Sequence, residues 1–307
     1  RGPAKKADYI LHINANNPIA VVEAKDNHHS VSAGLQQAMT YAQMMDIPFA
    51  YSSNGDSFYE HDFLTGLECQ IPLDQFPTYD TLCARFVSET TSGNGFTPAQ
   101  TAIINQPYYT SAKTYPPRYY QRIAINRSVD AIAKGQKRLL LVMATGTGKT
   151  RTAVSLVDVL SRAERVKNVL FLADRVALVE QAKNAFVEHL PRFPLCRLGF
   201  SSATNDDADK LMDELNIVGI GCEEAVTKAR VVISTYPTML NQIDDSKIGE
   251  DGRLFTPAHF DLIIVDESHR SIFNKYKAIF DYFDAQVVGL TATPRNEVDL
   301  NTYSFFE

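Results

Sequence analysis

The chain has 307 residues, 45% hydrophobic and 21% charged, a balance that supports a buried core and excludes disordered and fibrous classes. Its net charge of −6 gives no global attraction to nucleic acid, so any contact with DNA must come from local sites. No apolar run approaches the length of a membrane helix. The start RGPAKKADY lacks the apolar centre of a signal peptide, and Cys69, Cys83, Cys196 and Cys222 show no metal-ligand spacing. These features predict a cytoplasmic protein of about two domains with reduced thiols. A first residue other than Met, and an end at SFFE, suggest a piece of a longer polypeptide.

In chain order, residues 8–62 read as strand, strand, helix and hairpin. They are ADYILHI, PIAVVEAK, a helix from about Ser30 to Met45, and PFAYSSNGDSFYEHDF turning at Asn54-Gly55. From Ser88 to about Pro117, Ser, Thr, Gly and Pro dominate, which predicts a linker. Beyond it, LLLVMA, NVLFLA, RVVIST, DLIIVD and QVVGLTA alternate with helical patterns, as in a doubly wound parallel sheet. The expected division is residues 1–90, a linker over 91–117, and a second domain over 118–307.

The stretch IAVVEAKDN drives a β-branched strand into Glu23 and Lys25, which project to one face because side chains two apart on a strand do so. Asp8 begins the preceding strand, and a tight connection would bring its carboxylate beside Glu23. Two adjacent carboxylates repel, which suits them to a hard divalent cation, and Lys25 could then orient or deprotonate a water. A lone Glu-x-Lys is commonly a surface ion pair. Here the hydrophobic strand, the Asp, and the pairing of Gln37 with Tyr41 on one helix face favour the catalytic reading. His28 and His29 fit a solvated loop better than a ligand set.

MATGTGKT, residues 143–150, follows a strand and opens a helix. Its loop residues Thr145, Gly146, Thr147 and Gly148 can turn backbone N–H groups around phosphates, Lys149 can reach the outer phosphates, and Thr150 can bind Mg²⁺. Met143 stands at the first glycine position of the usual pattern. DLIIVDESH ends a strand in adjacent carboxylates, Asp266 for the Mg²⁺ shell and Glu267 to polarise water.

Together these blocks resemble a superfamily 2 helicase or translocase of the DExH form, with His269 completing its DESH. The resemblance covers residues 118–297 and implies a first RecA-like lobe. It makes Gln121 an adenine reader with Tyr119 or Tyr120 stacking, and puts Arg175, Ser234 and Thr235 near DNA. Thr291 and Thr293 would link hydrolysis to movement. The family's motifs IV to VI are absent, so the chain is expected to bind ATP and hydrolyse it poorly.

Asp8, Glu23, Lys25, Gln37 and Tyr41 resemble the PD-(D/E)xK nucleases of the RecB-like branch, incomplete here because only seven residues precede Asp8. The expected fold is therefore α/β, a partial PD-(D/E)xK domain followed by a RecA-like P-loop domain. Nuclease first and motor second resembles the restriction (motor) subunit of type I restriction-modification enzymes. That likeness implies ATP and Mg²⁺ as cofactors, duplex DNA as substrate, and methyltransferase and specificity partners that carry S-adenosylmethionine. The rival readings are a solitary nuclease-helicase of DNA repair or phage defence, and a DNA-binding module with silent sites.

Overall fold

The computed structural model describes residues 6–14, 16–90, 97–109, 115–198, 228–243, 254–267, 276–294, 296–297, 300–301 and 305–306. The chain divides into two compact units, Arg1–Pro107 with Arg118–Asn126, and Tyr108–Pro117 with Arg127–Glu307. Among the described residues no helix is long and apolar enough to cross a membrane. Cys69, Cys83 and Cys196 are free thiols; Cys222 lies outside the described residues.

Unit 1 is built on a five-stranded sheet in sequence order: β1 (Tyr9–His12), β2 (Pro18–Ala24), β3 (Phe49–Ser53), β4 (Ser57–Asp62) and β5 (Glu68–Pro72). All neighbours are antiparallel except β2 and β3, which α1 (Leu35–Met45) joins as a parallel crossover. One face packs Val21 and Ala50, together with Ile47 of the connection before β3, against Ala38 and Ala42 of α1. The other packs Val22, Phe49 and Tyr51 against Leu82 of α2 (Tyr79–Thr90). The helix expected from about Ser30 starts at Leu35, with Gly34 as its N-cap.

The stretch expected to be a linker contains a helix, α3 (Pro98–Ile104). Thr97 and Gln100 form a reciprocal capping box at its start, a signal that the loop-like composition obscured. The turn between β1 and β2 is tied to this part of the chain. Asn14 Oδ1 accepts from the N–H groups of Asn16 and Asn17, and the side chains of Asn16 and Asn17 donate to the carbonyls of Gln106 and Ile104. Arg122 and Asn126 of α4 (Tyr119–Ala133) both donate to the Asn16 carbonyl at 3.2 Å.

Unit 2 carries a six-stranded sheet of β6 (Arg138–Val142), β7 (Val169–Ala173), β8 (Leu195–Arg197), β9 (Val231–Thr235), β10 (Leu262–Asp266) and β11 (Gln286–Thr291). Their order is β6-β11-β10-β7-β9-β8 and every pairing is parallel. The five expected strands are all present; β8, only three residues long, is a sixth at the edge. Residues of β7 and β10 are all buried, as strands covered on both faces must be. Tyr236, Met239 and Ile243 of α7 (Tyr236–Ile243) and Ile279 and Phe280 of α8 (Lys277–Tyr282) share one core cluster with Leu172, Val232, Ile263 and Val265. The first helices of the unit, α5 (Lys149–Arg162) and α6 (Val176–His189), contribute Leu156, Val157, Leu160 and Phe186 to the core.

Unit 1 also buries charge. Glu60 and Asp62, each 4% exposed, take bidentate and single hydrogen bonds from Arg85 of α2 at 2.7–3.0 Å. Tyr51 donates to Glu60, and the guanidinium lies 4.4 Å from the centre of the Phe49 ring. Burial acts to raise the Asp62 pKa, but hydrogen bonds from Arg85 and Leu64 N–H hold it below the ordinary value. Arg85→Ala strands two buried carboxylates, and we expect it to cost about 3–5 kcal/mol in urea unfolding. A loss below about 1 kcal/mol would show that water replaces the guanidinium.

Candidate functional site

In unit 1 the register of β1 on β2, Tyr9 opposite Val22, brings Asp8 alongside Glu23. Asp8 N–H donates to Glu23 Oε1 at 3.2 Å, and Asp8 Oδ2 accepts from Ala24 N–H at 2.9 Å. Glu23 is fully buried, and its Oε2 accepts no hydrogen bond; Lys25 Nζ stands 4.0 Å from it. Lys25 Nζ donates to Gln37 Oε1 at 3.3 Å, and Gln37 Nε2 donates to the Tyr41 hydroxyl at 3.3 Å. Asp8, Glu23, Lys25, Gln37 and Tyr41 therefore form one connected chain of contacts across β1, β2 and α1.

Burial raises the Glu23 pKa; the Asp8 N–H bond opposes this and the Asp8 charge adds to it. A carboxylate that is buried, crowded by another and short of a hydrogen-bond donor fits a cation. Among the described residues no group of three or more His, Cys, Asp and Glu could hold a metal. A cation here would thus take one or two carboxylate oxygens and complete its shell with water and phosphate oxygens, as Mg²⁺ does.

Two further residues share this site without having been singled out in the sequence. Ser52, opposite Glu23 in the β2–β3 register and fully buried, accepts from Gly34 N–H at 3.0 Å. The available signal was a serine pair closing FAYSS, a strand buried at every position.

In unit 2 the glycine loop, the Asp266-Glu267 pair and the Thr291 segment lie at the carboxyl ends of three adjacent strands, β6, β10 and β11. This is where open α/β sheets bind ligands. The loop after β6 needs glycine: Gly146 and Gly148 have φ of 78° and 83°. Thr147 Oγ1 donates to the Ala144 carbonyl at 2.6 Å, which tightens the turn. Lys149 opens α5, and its Nζ lies 3.8 Å from Glu267 Oε1. Thr145 is exposed and Thr150 half-buried.

Asp266 ends β10, 6% exposed, and Glu267 follows with φ 51°, a left-handed conformation costing a non-glycine residue about 1–3 kcal/mol. Glu267 N–H donates to Asp266 Oδ1 at 3.0 Å. Burial, then the Glu267 charge, push the Asp266 pKa up to about 6 against this bond and Lys149. Between the two strands runs β11. Thr291 is fully buried, its carbonyl accepts from Met143 N–H at 2.8 Å, and its hydroxyl accepts from Thr293 N–H at 3.2 Å.

The other anticipated residues are more scattered. Gln121 belongs to unit 1 and is 4% exposed; its Oε1 accepts from Arg118 N–H, the pattern of a side chain closing a helix start. Tyr119 is exposed and meets Tyr120 edge-on. Arg175 is the exposed N-cap of α6, next to Asp174. Ser234 is fully buried with its hydroxyl donating to the Thr235 carbonyl, and the Thr235 and Thr238 hydroxyls pair at 2.9 Å. His269 lies outside the described residues.

The doubly wound parallel sheet, with its glycine loop, lysine and strand-end carboxylates, defines a P-loop α/β domain of the RecA-like helicase type. A family model described as "Type III restriction enzyme, res subunit" matches residues 114–296, more than half the chain, and the chain belongs to that family. Along its whole length the chain is similar to type I restriction enzyme subunits. It is 35% identical over 317 residues to the type I restriction enzyme EcoAI endonuclease subunit of Escherichia coli, a match covering 100% of this chain and 35% of that protein. The EcoKI endonuclease subunit of E. coli K12 is 27% identical over 355 residues, covering 94% of this chain and 28% of that one. A solved fragment described as an HsdR subunit of a type I restriction enzyme from Vibrio vulnificus YJ016 superposes with a TM-score of 0.70 at 30% identity. That match covers 100% of this chain and 49% of the other. The chain spans about a third of the length of the two curated relatives.

The raised Asp266 pKa has a definite sign. A carboxyl that holds its proton more tightly when folded destabilises the fold as pH rises from its unfolded value toward about 6, by up to about 3 kcal/mol. We therefore expect Asp266→Asn to raise the thermal midpoint at pH 7.5 and to change it little at pH 4. An equal effect at both pH values would assign the stabilisation to something other than the buried charge.

Proposed function

We propose that this chain is the nuclease and first motor region of a type I restriction endonuclease subunit, with an Mg²⁺-dependent phosphodiesterase site in unit 1 and an ATP site in unit 2. The observation that carries the reading is the pairing of Asp8 and Glu23 beside Lys25, on a PD-(D/E)xK-like arrangement, in a chain that also has a complete phosphate loop and Asp266-Glu267. The 35% identity to a type I endonuclease subunit over the whole chain supports it.

In unit 1, Asp8 and Glu23 would hold Mg²⁺, which would neutralise charge growing on the scissile phosphate. Lys25 would orient a water, or take its proton, for attack on phosphorus as the P–O bond to the leaving strand breaks. Gln37, bonded to Lys25 and to Tyr41, would fix the amine's direction. In unit 2, Gly146, Gly148, Lys149 and Thr150 would cradle ATP·Mg²⁺ with Asp266, and Glu267 would polarise the attacking water. Lys149 would exchange its present neighbour Glu267 for the phosphates, freeing that carboxylate for water. Arg175 and the Thr235 segment would meet the DNA backbone, and Thr291 and Thr293 would relay the state of the nucleotide. Gln121 would read adenine.

The reaction assigned to the whole protein is ATP-driven translocation along duplex DNA followed by cleavage. Methyltransferase and specificity subunits, carrying S-adenosylmethionine, would supply recognition. The test uses the full-length subunit assembled with those partners, on supercoiled plasmid bearing the recognition site. Glu23→Ala and Lys25→Ala should reduce cleavage on the order of 10²- to 10⁴-fold and leave DNA-dependent ATPase activity within about twofold. Lys149→Ala should abolish both. Cleavage that survives Glu23→Ala would remove the nuclease assignment; ATP-dependent cleavage that survives Lys149→Ala would remove the motor assignment.

A further inference from the structure

Resting on the nuclease reading, we propose that Gly34 and Ser52 are positioning residues of the cleavage site. Together they form the seat that presses the start of α1 onto Glu23 and Lys25. Gly34 has φ −89° and ψ −7°, a right-handed conformation that residues with a side chain also adopt, so backbone freedom does not explain the glycine. Space does. A Cβ at position 34 would meet Ser52 Oγ at 2.9 Å, Glu23 Cβ at 3.1 Å and Lys25 Cε at 3.2 Å.

The three neighbours differ in their ability to yield. Lys25 Cε belongs to a flexible stem and could swing, but it would swing away from Glu23 and Gln37. Glu23 Cβ is fixed by a central strand whose backbone is paired on both sides. Ser52 Oγ is anchored by its bond to Gly34 N–H, on a strand buried throughout. Adding one methyl group therefore either lifts the first turn of α1 or displaces the amine. Lifting α1 carries Gln37 with it, because Gln37 lies three residues on and holds Lys25 Nζ at 3.3 Å.

The hydroxyl of Ser52 sets the same distance from the other side. It satisfies the N–H at the helix N-cap, one of the donors a helix start leaves open, where the N-cap residue itself, a glycine, has no side chain to do so. Ser52 faces Glu23 across the β2–β3 register, so the acceptor that holds the helix and the carboxylate assigned to the cation share one rung of the sheet. Neither residue touches the reacting atoms in this scheme. They act through Glu23, Lys25 and Gln37.

The test uses the full-length subunit with its partners, comparing Gly34→Ala, Ser52→Ala and Glu23→Ala by two measurements. Single-turnover plasmid cleavage is followed against Mg²⁺ concentration, and Ca²⁺ binding without ATP is titrated calorimetrically, counting only the heat that Glu23→Ala removes. We expect Gly34→Ala to slow cleavage about tenfold or more and to raise the half-saturating Mg²⁺ and the Ca²⁺ dissociation constant at least about threefold, with ATPase unchanged. Ser52→Ala, which adds no atoms and so cannot clash, should shift all three in the same direction by less. Wild-type metal dependence in both variants overturns the proposal. So does a smaller cleaved fraction at unchanged half-saturation, the mark of misfolded molecules. If Glu23→Ala itself cleaves normally, the nuclease reading has failed instead, and that result is separate from the other two.

Discussion

The register of β1 against β2 is the constraint on which the first site depends. Side chains alternate across a strand, so a slip of one residue would send Asp8 to the opposite face from Glu23. Several features pin the register. Ile10 joins the α1-side core, whereas Leu11 joins the α2-side core, so a slip would exchange both. Asp8 accepts the Ala24 N–H and gives its own N–H to Glu23, which closes the pair at its open end. At the other end the asparagine turn is self-capped by Asn14 and held by Arg122 and Asn126 through the Asn16 carbonyl. The irregularity at Leu11 and His12 absorbs the mismatch between turn and ladder.

Unit 2 applies strand order where unit 1 applies register. The phosphate loop and the Asp266-Glu267 pair come from strands far apart in sequence that do not touch in the sheet, because β11 lies between them. This gives β11 its significance. Its end pairs on one side with β10, Leu290 opposite Asp266, and on the other with β6, Thr291 opposite Val142. The bond from Met143 N–H to the Thr291 carbonyl then extends the ladder into the phosphate loop itself. A segment read from its resemblance as linking hydrolysis to movement is thus in direct hydrogen-bonded contact with the loop that would change on phosphate binding.

Much of this was legible in the sequence where apolar runs are long and β-branched. VLFLA, VVIST and LIIVD cannot be solvated, and five such runs separated by helical patterns leave few folds other than a doubly wound sheet. The strand-end motifs were legible for the same reason, since charges that interrupt such a run need an explanation. What escaped was signalled by single contacts. The exposed strand ECQIP has no apolar face to detect, and β8 is too short for any periodicity. The α3 helix was hidden by a composition of Thr, Pro, Ala and Gln that reads as loop until the capping box is noticed. Gly34 and Ser52 are ordinary residues in an ordinary pattern; only the closeness of α1 to β2 and β3 gives them meaning, and closeness between elements is not written in one segment.

The two sites share an energetic design. In each, a strand of buried apolar residues ends in a carboxylate that the fold desolvates, and in each that desolvation is the largest cause of a raised pKa, at Glu23 and at Asp266. A second carboxylate nearby, Asp8 or Glu267, makes the ionised state less favourable still. The available cations do not cancel this: Lys25 and Lys149 stand 4.0 Å and 3.8 Å from their nearest carboxylate oxygens, longer than a normal hydrogen bond. By contrast, Glu60 and Asp62 are as buried and are gripped by Arg85 at 2.7–3.0 Å. The same chain therefore contains a buried charge cluster gripped by an arginine and, among the described residues, two buried carboxylates, Glu23 and Asp266, that no cation holds at hydrogen-bond distance. Had folding stability alone shaped the strand ends, an arginine within reach or an apolar residue would serve better. In the proposed reading, each of these carboxylates would give its interaction to a divalent cation, and that cation would offset the cost of leaving the charge without a cationic partner.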